Sequence, residues 1–413
     1  MTAITDLTLD LAAVRQDFPI LEREVHGKPL IYLDNAATSQ TPTAVIESLS
    51  DYYRRYNANI HRGLHTLADE ATAAYEGARA RIQTHLNAFE PREIVFTRGT
   101  TEAINLVANS WGRANLQPGD EVLVSLMEHH SNIVPWQLLA QALGIVVRVI
   151  PVDERGVLDL AAYRDLLGER TRLVCVNHVS NALGTVNPVA EMARDAHAHG
   201  ALILVDGAQA LPHQRVDVQA LDVDFYAFSG HKVYGPMGIG ALYARASLLE
   251  AMPPWQGGGE MISRVSFDRG TEFAAIPHRF EAGTPAVPEA IALGAALDWI
   301  DGVGIERLAA WEQWLLAHAT QKLEGIDGLR IIGTAPDKAS VISFVVDGAH
   351  AQDIGLLIDQ LGVAIRTGHH CAQPLLQHFG VEATCRASLA VYNTPEEVDA
   401  FVEALQRVLG MLR

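Results

Sequence analysis

The sequence predicts an α/β protein with a large, doubly wound, mostly parallel sheet and a smaller α+β part. Short aliphatic or β-branched segments alternate with longer helical patterns from about residue 95 to 245. A helical stretch at 289–325 ends this alternation, and a compact pattern of strands and helices follows from residue 340. Near-continuous apolar strands separated by helices are typical of a parallel sheet that is covered on both faces.

The elements of the larger part can be assigned in chain order. The candidate strands are EIVFT (93–97), EVLVSL (121–126), GIVVRVIPV (144–152), RLVCVNHV (172–179), ALILVDGA (201–208) and DVDFYAFS (222–229). The helices between them are predicted at 101–112, 132–143 and 188–199. Ligands of such sheets bind beyond the carboxyl ends of the strands, so the polar residues that follow each strand are the candidates for chemistry.

The smaller part has its own pattern. Its predicted elements are strands at 340–346, 363–366 and 385–393, helices at 351–361 and at the C-terminus, and a loop at 367–374. An apolar stripe at helical spacing predicts that the last helix packs on the small sheet. The stripe consists of Val398, Phe401, Val402, Leu405, Val408, Leu409 and Leu412. We expect a larger domain at 27–300 and a smaller one formed by 1–26 and 301–413, although the opening helix pattern could pack on either.

The composition excludes several classes of function. The 413 residues include 31 basic and 49 acidic side chains, and no Lys/Arg cluster offers the positive surface that nucleic acids require. The N-terminus does not resemble a secretory signal, and no segment approaches the roughly 18 apolar residues of a membrane span. Three cysteines in so long a chain fit a reducing compartment, so we expect a cytosolic protein without membrane contact.

Two charged residues at strand ends point to a cofactor. Lys232 is one of four lysines, and it follows a strand in SGHK, just before a glycine-rich loop. A lysine there can form a Schiff base with an aldehyde cofactor, although alone it equally fits a surface turn. Asp206 ends an apolar strand, where a carboxylate is costly unless it faces a cation such as a protonated pyridine nitrogen. A metal ligand or a helix N-cap is the alternative for Asp206, and the pairing with Lys232 weakens it.

Two further motifs fit a planar, phosphorylated ligand. Gly99, Thr100 and Thr101 open a helix after a strand, as in sites that bind phosphate at a helix start. The spacing is neither a Walker loop nor a dinucleotide fingerprint, and threonine is also an ordinary N-cap. His129 and His130 follow the next strand, where one imidazole could stack on a planar cofactor or simply belong to a polar helix start.

Cys371 lies in a small-residue loop after Arg366, His369 and His370. Positive neighbours favour a thiolate, so this is the environment of a reactive cysteine. Two alternatives are a structural loop cysteine and a zinc site formed by His369, His370, Cys371 and His378.

The remaining cysteines and one arginine complete the candidates. Cys175 and Cys385 lie within apolar strand patterns and are predicted to be inert core thiols. Arg386 lies on an otherwise apolar strand, which suggests bidentate capture of a carboxylate or a buried structural ion pair.

In this order the motifs resemble the fold-type I pyridoxal-phosphate (PLP) enzymes, and more narrowly the group II, SufS-type cysteine desulfurases of the class V aminotransferase family. The resemblance spans essentially the whole chain. Its segments are 32–40, 59–68, 98–108, 127–137, 178–188, 205–213, 229–243, 255–262, 280–285, 366–374 and 385–393. It implies a PLP-dependent homodimer that converts L-cysteine to L-alanine, leaves a persulfide on Cys371, and supplies sulfur for iron–sulfur cluster assembly.

The resemblance also implies a role for each candidate residue. Lys232 would bond the cofactor covalently, Asp206 would pair with the ring nitrogen, Gln209 with the ring hydroxyl, and His129 would stack on the ring. Phosphate contacts would come from the 100–101 helix start, Ser229 and His231, with Thr284 contributed by the other subunit. The substrate carboxylate would bind Asn181 and Arg386, and Arg366 would line the cysteine loop. No metal is implied.

The resemblance further implies a partner protein. A persulfide on a short loop is expected to be sheltered, so its delivery would require a SufE-like or SufU-like acceptor that docks. The runner-up function is a selenocysteine lyase acting on L-selenocysteine. An aminotransferase or kynureninase-like lyase, or an inactive scaffold that binds an acceptor, are further alternatives.

Overall fold

The computed structural model describes residues 9–413. Helices account for most of the surface layers. They are α1 (Leu11–Gln16), α2 (Thr43–Asp51), α3 (Thr66–His85), α4 (Thr100–Val107), α5 (Arg113–Asn115), α6 (Val134–Leu143), α7 (Leu160–Leu166), α8 (Val189–Ala198), α9 (Ala246–Ala251), α10 (Val287–Val303), α11 (Ile305–Glu324), α12 (Ala351–Asp359), α13 (Gln373–His378) and α14 (Pro395–Leu412). Within this range no helix has the length and apolar character that crossing a bilayer requires.

The strands form one large sheet, one smaller sheet and three two-stranded pairings. They are β1 (Glu24–Val25), β2 (Lys28–Pro29), β3 (Ile31–Tyr32), β4 (Ile94–Thr97), β5 (Glu121–Ser125), β6 (Val146–Ile150), β7 (Thr171–Asn177), β8 (Leu202–Asp206), β9 (Phe225–Ser229), β10 (Gly240–Ala244), β11 (Ile262–Ser266), β12 (Gly270–Phe273), β13 (Leu329–Ile332), β14 (Val341–Val346), β15 (Val363–Ala364), β16 (Arg366–Gly368) and β17 (Thr384–Ser388).

The large sheet confirms the predicted α/β class. Its order is β4-β10-β9-β8-β7-β5-β6, and only β10 runs antiparallel to its neighbours. Successive residues of β7 enter different hydrophobic cores, with Val174 and Val176 on one face and Leu173 and Cys175 on the other. This alternation buries both faces of the strand and explains its uninterrupted apolar sequence.

The smaller sheet has the order β13-β14-β17-β16 and is antiparallel throughout. Its core is separate and includes residues of α11, α12 and α14. Most of the predicted stripe of α14 is buried there, and Leu412 packs at its edge. The helix starts with a capping box between Thr394 and Glu397, which satisfies the first backbone N–H groups.

Some predicted boundaries differ from the structure. The helical stretch at 289–325 is two helices, because Gly304 has a φ of 92° between α10 and α11. The strand expected at 385–393 ends at Ser388. Of the opening pattern at 1–26, residues 9–26 form α1, a 3-10 turn at Pro19–Glu22 and β1, and residues 1–8 lie outside the described part. The domain boundary near residue 300 stays a prediction.

A buried ion pair fixes α3 against the edge of the large sheet. The Arg79 side chain is only 1% exposed, and its guanidinium donates to Glu281 Oε1 (2.7 Å), Glu281 Oε2 (2.9 Å) and Glu76 Oε2 (2.7 Å). It also donates to the carbonyl oxygen of Ile94 on β4 (2.8 Å). Removing such an arginine would leave Glu281 buried without its cation.

We therefore predict that Arg79→Ala lowers the free energy of unfolding by about 3–5 kcal/mol, the usual cost of breaking a buried pair from one side. Urea denaturation measures this. The matched control is Arg215→Ala, because the pair of Arg215 with Glu306 is exposed on both sides and should contribute under about 1 kcal/mol. Equal losses in the two variants would contradict the prediction.

Candidate active site

A cavity of about 310 Å³ lies where the carboxyl ends of the large sheet meet the smaller sheet. All but one of the predicted site residues line it. These are Thr100, Thr101, His129, Asn181, Asp206, Gln209, Ser229, His231, Lys232, Arg366, Cys371 and Arg386. The lining thus combines strand ends of one sheet with residues of the other. A cavity of this size and polarity can hold a small organic ligand.

The floor of the cavity carries two buried charges. Asp206 ends β8 and lies level with Asn177 of β7 and Ala227 of β9. Its Oδ1 accepts the backbone N–H of Ala208 (3.0 Å), and burial raises the pKa of its carboxyl group, with Lys232 opposing the shift. Burial lowers the pKa of Lys232 to about 8, and Asp206 limits that fall. Near neutral pH this amine can therefore both accept and release a proton.

The turn that carries Lys232 is anchored by a segment from the N-terminal region. The carbonyl oxygen of His231 accepts the Thr38 hydroxyl (2.9 Å) and the Ser39 backbone N–H (3.0 Å). The Ser39 Oγ in turn accepts the backbone N–H of Tyr234 (2.8 Å). These bonds hold both sides of the 230–232 turn, so the lysine is presented by a fixed backbone.

The segment predicted to bind a phosphate lies at the start of α4. The Ser229 Oγ accepts the Thr100 backbone N–H (2.9 Å) and lies 2.8 Å from the Thr100 hydroxyl. Gly99 has a φ of 148°, and a Cβ there would lie 3.0 Å from the Ser229 Oγ. A Cβ on Gly240 would lie 2.7 Å from the Gly99 Cα. The tight approach of strand, loop and helix therefore requires both glycines.

His129 faces the cavity as a neutral ring. Burial, followed by the charge of Lys232, lowers its pKa to about 4. Its Nδ1 accepts the Ser131 backbone N–H (3.1 Å), so the ring proton is on Nε2. Beside it, the buried Glu128 accepts the Asn177 N–H (2.8 Å) and the Asn132 amide (2.7 Å). The sequence analysis gave Glu128 no role, although it immediately precedes the histidine.

Two predicted ligand-binding amides are already engaged with the protein. The Gln209 side-chain amide donates to the carbonyl oxygen of Ala36 (2.6 Å). The Asn181 amide donates to the carbonyl oxygen of His370 (2.7 Å), and the Asn181 carbonyl accepts Arg386 Nη1 (2.9 Å). Asn181 thus connects the cysteine loop to the arginine.

The cysteine loop has an unusual backbone. His370 and Cys371 both have positive φ values, 52° and 54°, which are costly for residues other than glycine. Contacts from other segments hold them there, because the Cys371 carbonyl accepts the His130 N–H (2.8 Å) in addition to the Asn181 contact. The loop therefore depends on the neighbouring elements for its conformation.

Not all of the residues expected to place positive charge near Cys371 do so. Burial, with Arg386 and Arg366, lowers the pKa of His370 to about 3, so this histidine is neutral. Lys232, Arg366 and Arg386 share the cavity with the Cys371 sulfur. The thiol is also exposed in this chain, so the expectation that the short loop shelters it is wrong here.

An unassigned acidic residue pairs with both arginines of the cavity. Asp34 Oδ2 lies 2.8 Å from Arg366 Nη2, and Asp34 Oδ1 lies 3.1 Å from Arg386 Nη2. The sequence analysis quoted Asp34 only as part of a motif. Asp34 follows the two-residue strand β3 and forms only an isolated bridge with Ser388, so no periodic pattern marks it.

Thr284 does not line this cavity. It lies in a separate depression of about 520 Å³ with Arg98, Trp255 and Gln256. The expectation that it acts in the site of a second subunit stays a prediction.

The zinc alternative at the cysteine loop is not supported. Among residues 9–413 the metal-ligating side chains that come within reach of one another are His61, Glu76 and His278, away from Cys371. Glu76 there already accepts two N–H groups of Arg79.

Comparisons with known proteins agree with this geometry. The family model "Aminotransferase class-V" matches residues 31–401. A curated relative from Dickeya dadantii, named cysteine desulfurase, is 55% identical over 97% of this chain and 97% of its own.

Solved structures give the same fold. The crystal structure of the cysteine desulfurase CsdA from Escherichia coli has a TM-score of 0.92 at 42% identity and covers 98% of this chain and 100% of its own. A mutant of C-DES with glycine covalently linked to the PLP cofactor has a TM-score of 0.81 at 25% identity, covering 95% and 98%.

We predict that only one of the three cysteines reacts rapidly with a disulfide reagent in the native protein. Cys371 is exposed, whereas Cys175 and Cys385 are buried, and burial raises the pKa of Cys385 to about 12. A colorimetric thiol assay should therefore release about one equivalent per chain before denaturation. The control is Cys371→Ser, in which this equivalent should vanish; its persistence would contradict the assignment of the exposed thiol.

Proposed function

Because this chain belongs to the class-V aminotransferase family and is a cysteine desulfurase, which converts L-cysteine to L-alanine with formation of a persulfide, we propose that the cavity described above is its active site and that Cys371 carries the sulfur. The observation that carries this proposal is the position of Cys371 on the rim of one cavity with Lys232 and Arg386. Cys175 is fully buried, and Cys385 lines a different cavity of about 210 Å³ whose lining includes no lysine or arginine. The relatives reported above do not favour the selenocysteine lyase alternative.

We also propose PLP as the cofactor, because the family and the C-DES structure support it. The residues fit such a group. Asp206 offers a buried carboxylate for a ring cation, and Lys232 offers an amine for an aldehyde. Thr101 at the start of α4 and the Ser229 hydroxyl line the cavity and offer donors for a phosphate. His129 and Gln209 would contact the ring, with Thr101 and His231 at the phosphate. When bound, PLP supplies an electron sink for the substrate α-carbon.

The chain's own groups can be assigned to the remaining tasks. Arg386 has a buried Nε–H without a protein partner, which suits it to bind the substrate carboxylate. The Lys232 amine would take the proton from the substrate α-carbon and return it during turnover. The Cys371 sulfur would attack the substrate sulfur, so an S–S bond forms on the enzyme while the substrate C–S bond breaks. The carbon skeleton takes up the proton and leaves as alanine.

The sulfur must then leave Cys371, and we propose that a SufE-like or SufU-like acceptor removes it for iron–sulfur cluster assembly. The exposed thiol supports this, since an acceptor can approach it directly. We propose in addition a homodimer in the cytosol. Support for a dimer comes from the fully exposed Leu64 and Phe267, because such large apolar side chains favour a covered surface.

The first experiment separates the two proposed reactive groups. Cys371→Ala should keep the yellow absorbance of the bound cofactor but form alanine from L-cysteine about three orders of magnitude more slowly, or worse. Lys232→Ala should lose the covalent link that borohydride fixes between cofactor and protein. Alanine is measured by chromatography and the link by mass spectrometry.

The matched control is Cys175→Ala, which removes a buried thiol of the same chain and should leave alanine formation intact. Normal turnover by Cys371→Ala would contradict the assignment of Cys371 as the sulfur carrier. If borohydride still fixed the cofactor to the protein in Lys232→Ala, the assignment of Lys232 as the covalent link would be contradicted.

The second experiment tests the acceptor. Without acceptor or added thiol, the sulfur stays on Cys371, so we expect a burst of about one alanine per chain and then a stall. Adding the acceptor encoded in the same genome should restore continuous turnover in a saturable way. An acceptor whose receiving cysteine is replaced by serine serves as the control. A rate that is unchanged across the titration would contradict the proposal.

A further inference from the structure

Asp34 lies behind the cavity wall and pairs with both arginines at the substrate end. Its Oδ2 accepts Arg366 Nη2 (2.8 Å) and Nε (3.0 Å), and its Oδ1 accepts Arg386 Nη2 (3.1 Å). One carboxylate therefore compensates one of two guanidinium charges. Geometry of this kind fixes the planes of both guanidinium groups as well as their charge.

The backbone around Asp34 is fastened to the strand that carries Arg386. Asp34 bridges Ser388 of β17, the Asn35 amide donates to the Ser388 carbonyl oxygen (2.7 Å), and the Ala36 N–H donates to the Ser388 Oγ (2.8 Å). The carboxylate consequently has little freedom to move away from the arginines. These backbone contacts therefore set the distance between the Asp34 carboxylate and the two guanidinium groups.

The charges at the substrate end sum to a single positive charge. Arg366 and Arg386 contribute two positive charges and Asp34 one negative charge. His370 and His129 are neutral, because burial lowers their pKa values to about 3 and 4. On the cavity floor, Lys232 and Asp206 carry opposite charges.

The two arginines are engaged differently. Arg366 donates two of its five N–H groups, both to Asp34. Arg386 donates Nη1 to the Asn181 carbonyl and only Nη2 to Asp34, while its buried Nε has no partner. Asp34 therefore pairs more fully with Arg366 than with Arg386.

We propose that Asp34 determines the substrate specificity by neutralising the charge of Arg366. The pocket then accepts amino acids with a single carboxylate and discriminates against those with a second acidic group. Cysteine carries a neutral thiol in its side chain, whereas L-aspartate, of similar length, carries a carboxylate there. The second carboxylate of aspartate would meet Arg366 already paired and Asp34 nearby. The Asp34 side chain is only 14% exposed, so solvent screens it poorly and a second carboxylate placed beside it is unfavourable.

This inference rests on the proposed function, and its test uses the holoenzyme with L-cysteine as substrate and L-aspartate as the dicarboxylate probe. The measured quantity is the Ki of L-aspartate divided by the KM of L-cysteine. In Asp34→Asn, Arg366 is freed, so this ratio should fall about tenfold or more. Calorimetric titration of L-aspartate gives an independent binding readout.

A charge-balance cycle separates specificity from a merely structural role. Arg366→Gln alone leaves a net charge of zero, so the KM of L-cysteine should rise about tenfold. The double variant D34N/R366Q restores the single positive charge on Arg386, so both the KM and the selectivity ratio should return to within about threefold of wild type. Asp34→Glu keeps the charge and should keep the wild-type ratio.

The outcomes are distinct. If the double variant is no better than Arg366→Gln, or if Asp34→Asn changes the two constants by the same factor, the inference is overturned. If Asp34→Asn does not fold, the comparison of Arg366→Gln with the double variant still decides the inference. Only charge balance predicts that the double variant regains the KM that is lost in Arg366→Gln. Failure of the wild-type enzyme to form alanine from L-cysteine would instead overturn the proposed function.

Discussion

The site depends on two charges that are buried at neighbouring strand ends without an ion pair between them. Asp206 ends β8, and Lys232 follows β9. Burial works against the charged form of both groups, and each partly offsets the penalty of the other. The parallel register of β7, β8 and β9 makes this arrangement possible, because it brings successive strand ends to one edge. The other cavity residues are arranged around this pair.

The second half of the site comes from a different sheet, and a short segment joins the two. Residues 33–39 hydrogen-bond to the turn of Lys232 on one side and to β17 on the other. Asp34, in the middle of this segment, also pairs with Arg366 and Arg386. One stretch of chain thus sets the distance between the lysine and the arginines. A local pattern search overlooks this segment because it lies between β3 and α2, outside any regular strand or helix.

The sequence was sufficient for the sheet and for the residues that line the cavity, since apolar strands with polar ends are a local signal. It was insufficient where the answer depends on contacts between distant segments. Gln209 and Asn181 line the cavity, but the sequence does not reveal that the amide of each also donates to a backbone carbonyl far away in sequence. The charge of His370 was misjudged because burial cannot be read from a loop sequence. The positive φ values of His370 and Cys371 have no glycine to announce them.

Because the residues of the site are divided between two hydrophobic cores, partial unfolding can inactivate the enzyme. Lys232 follows β9 of the larger sheet, and Ala372 and Leu375 beside Cys371 also pack in the larger core. Arg386 instead lies on β17, whose Cys385 and Ala387 pack in the smaller core. Proteins open in cooperative units that often coincide with such cores. An opening of the smaller core would therefore separate Arg386 from Lys232 and Cys371 while the larger sheet stays folded. Loss of activity would then precede global denaturation, and hydrogen exchange in β17 would report it.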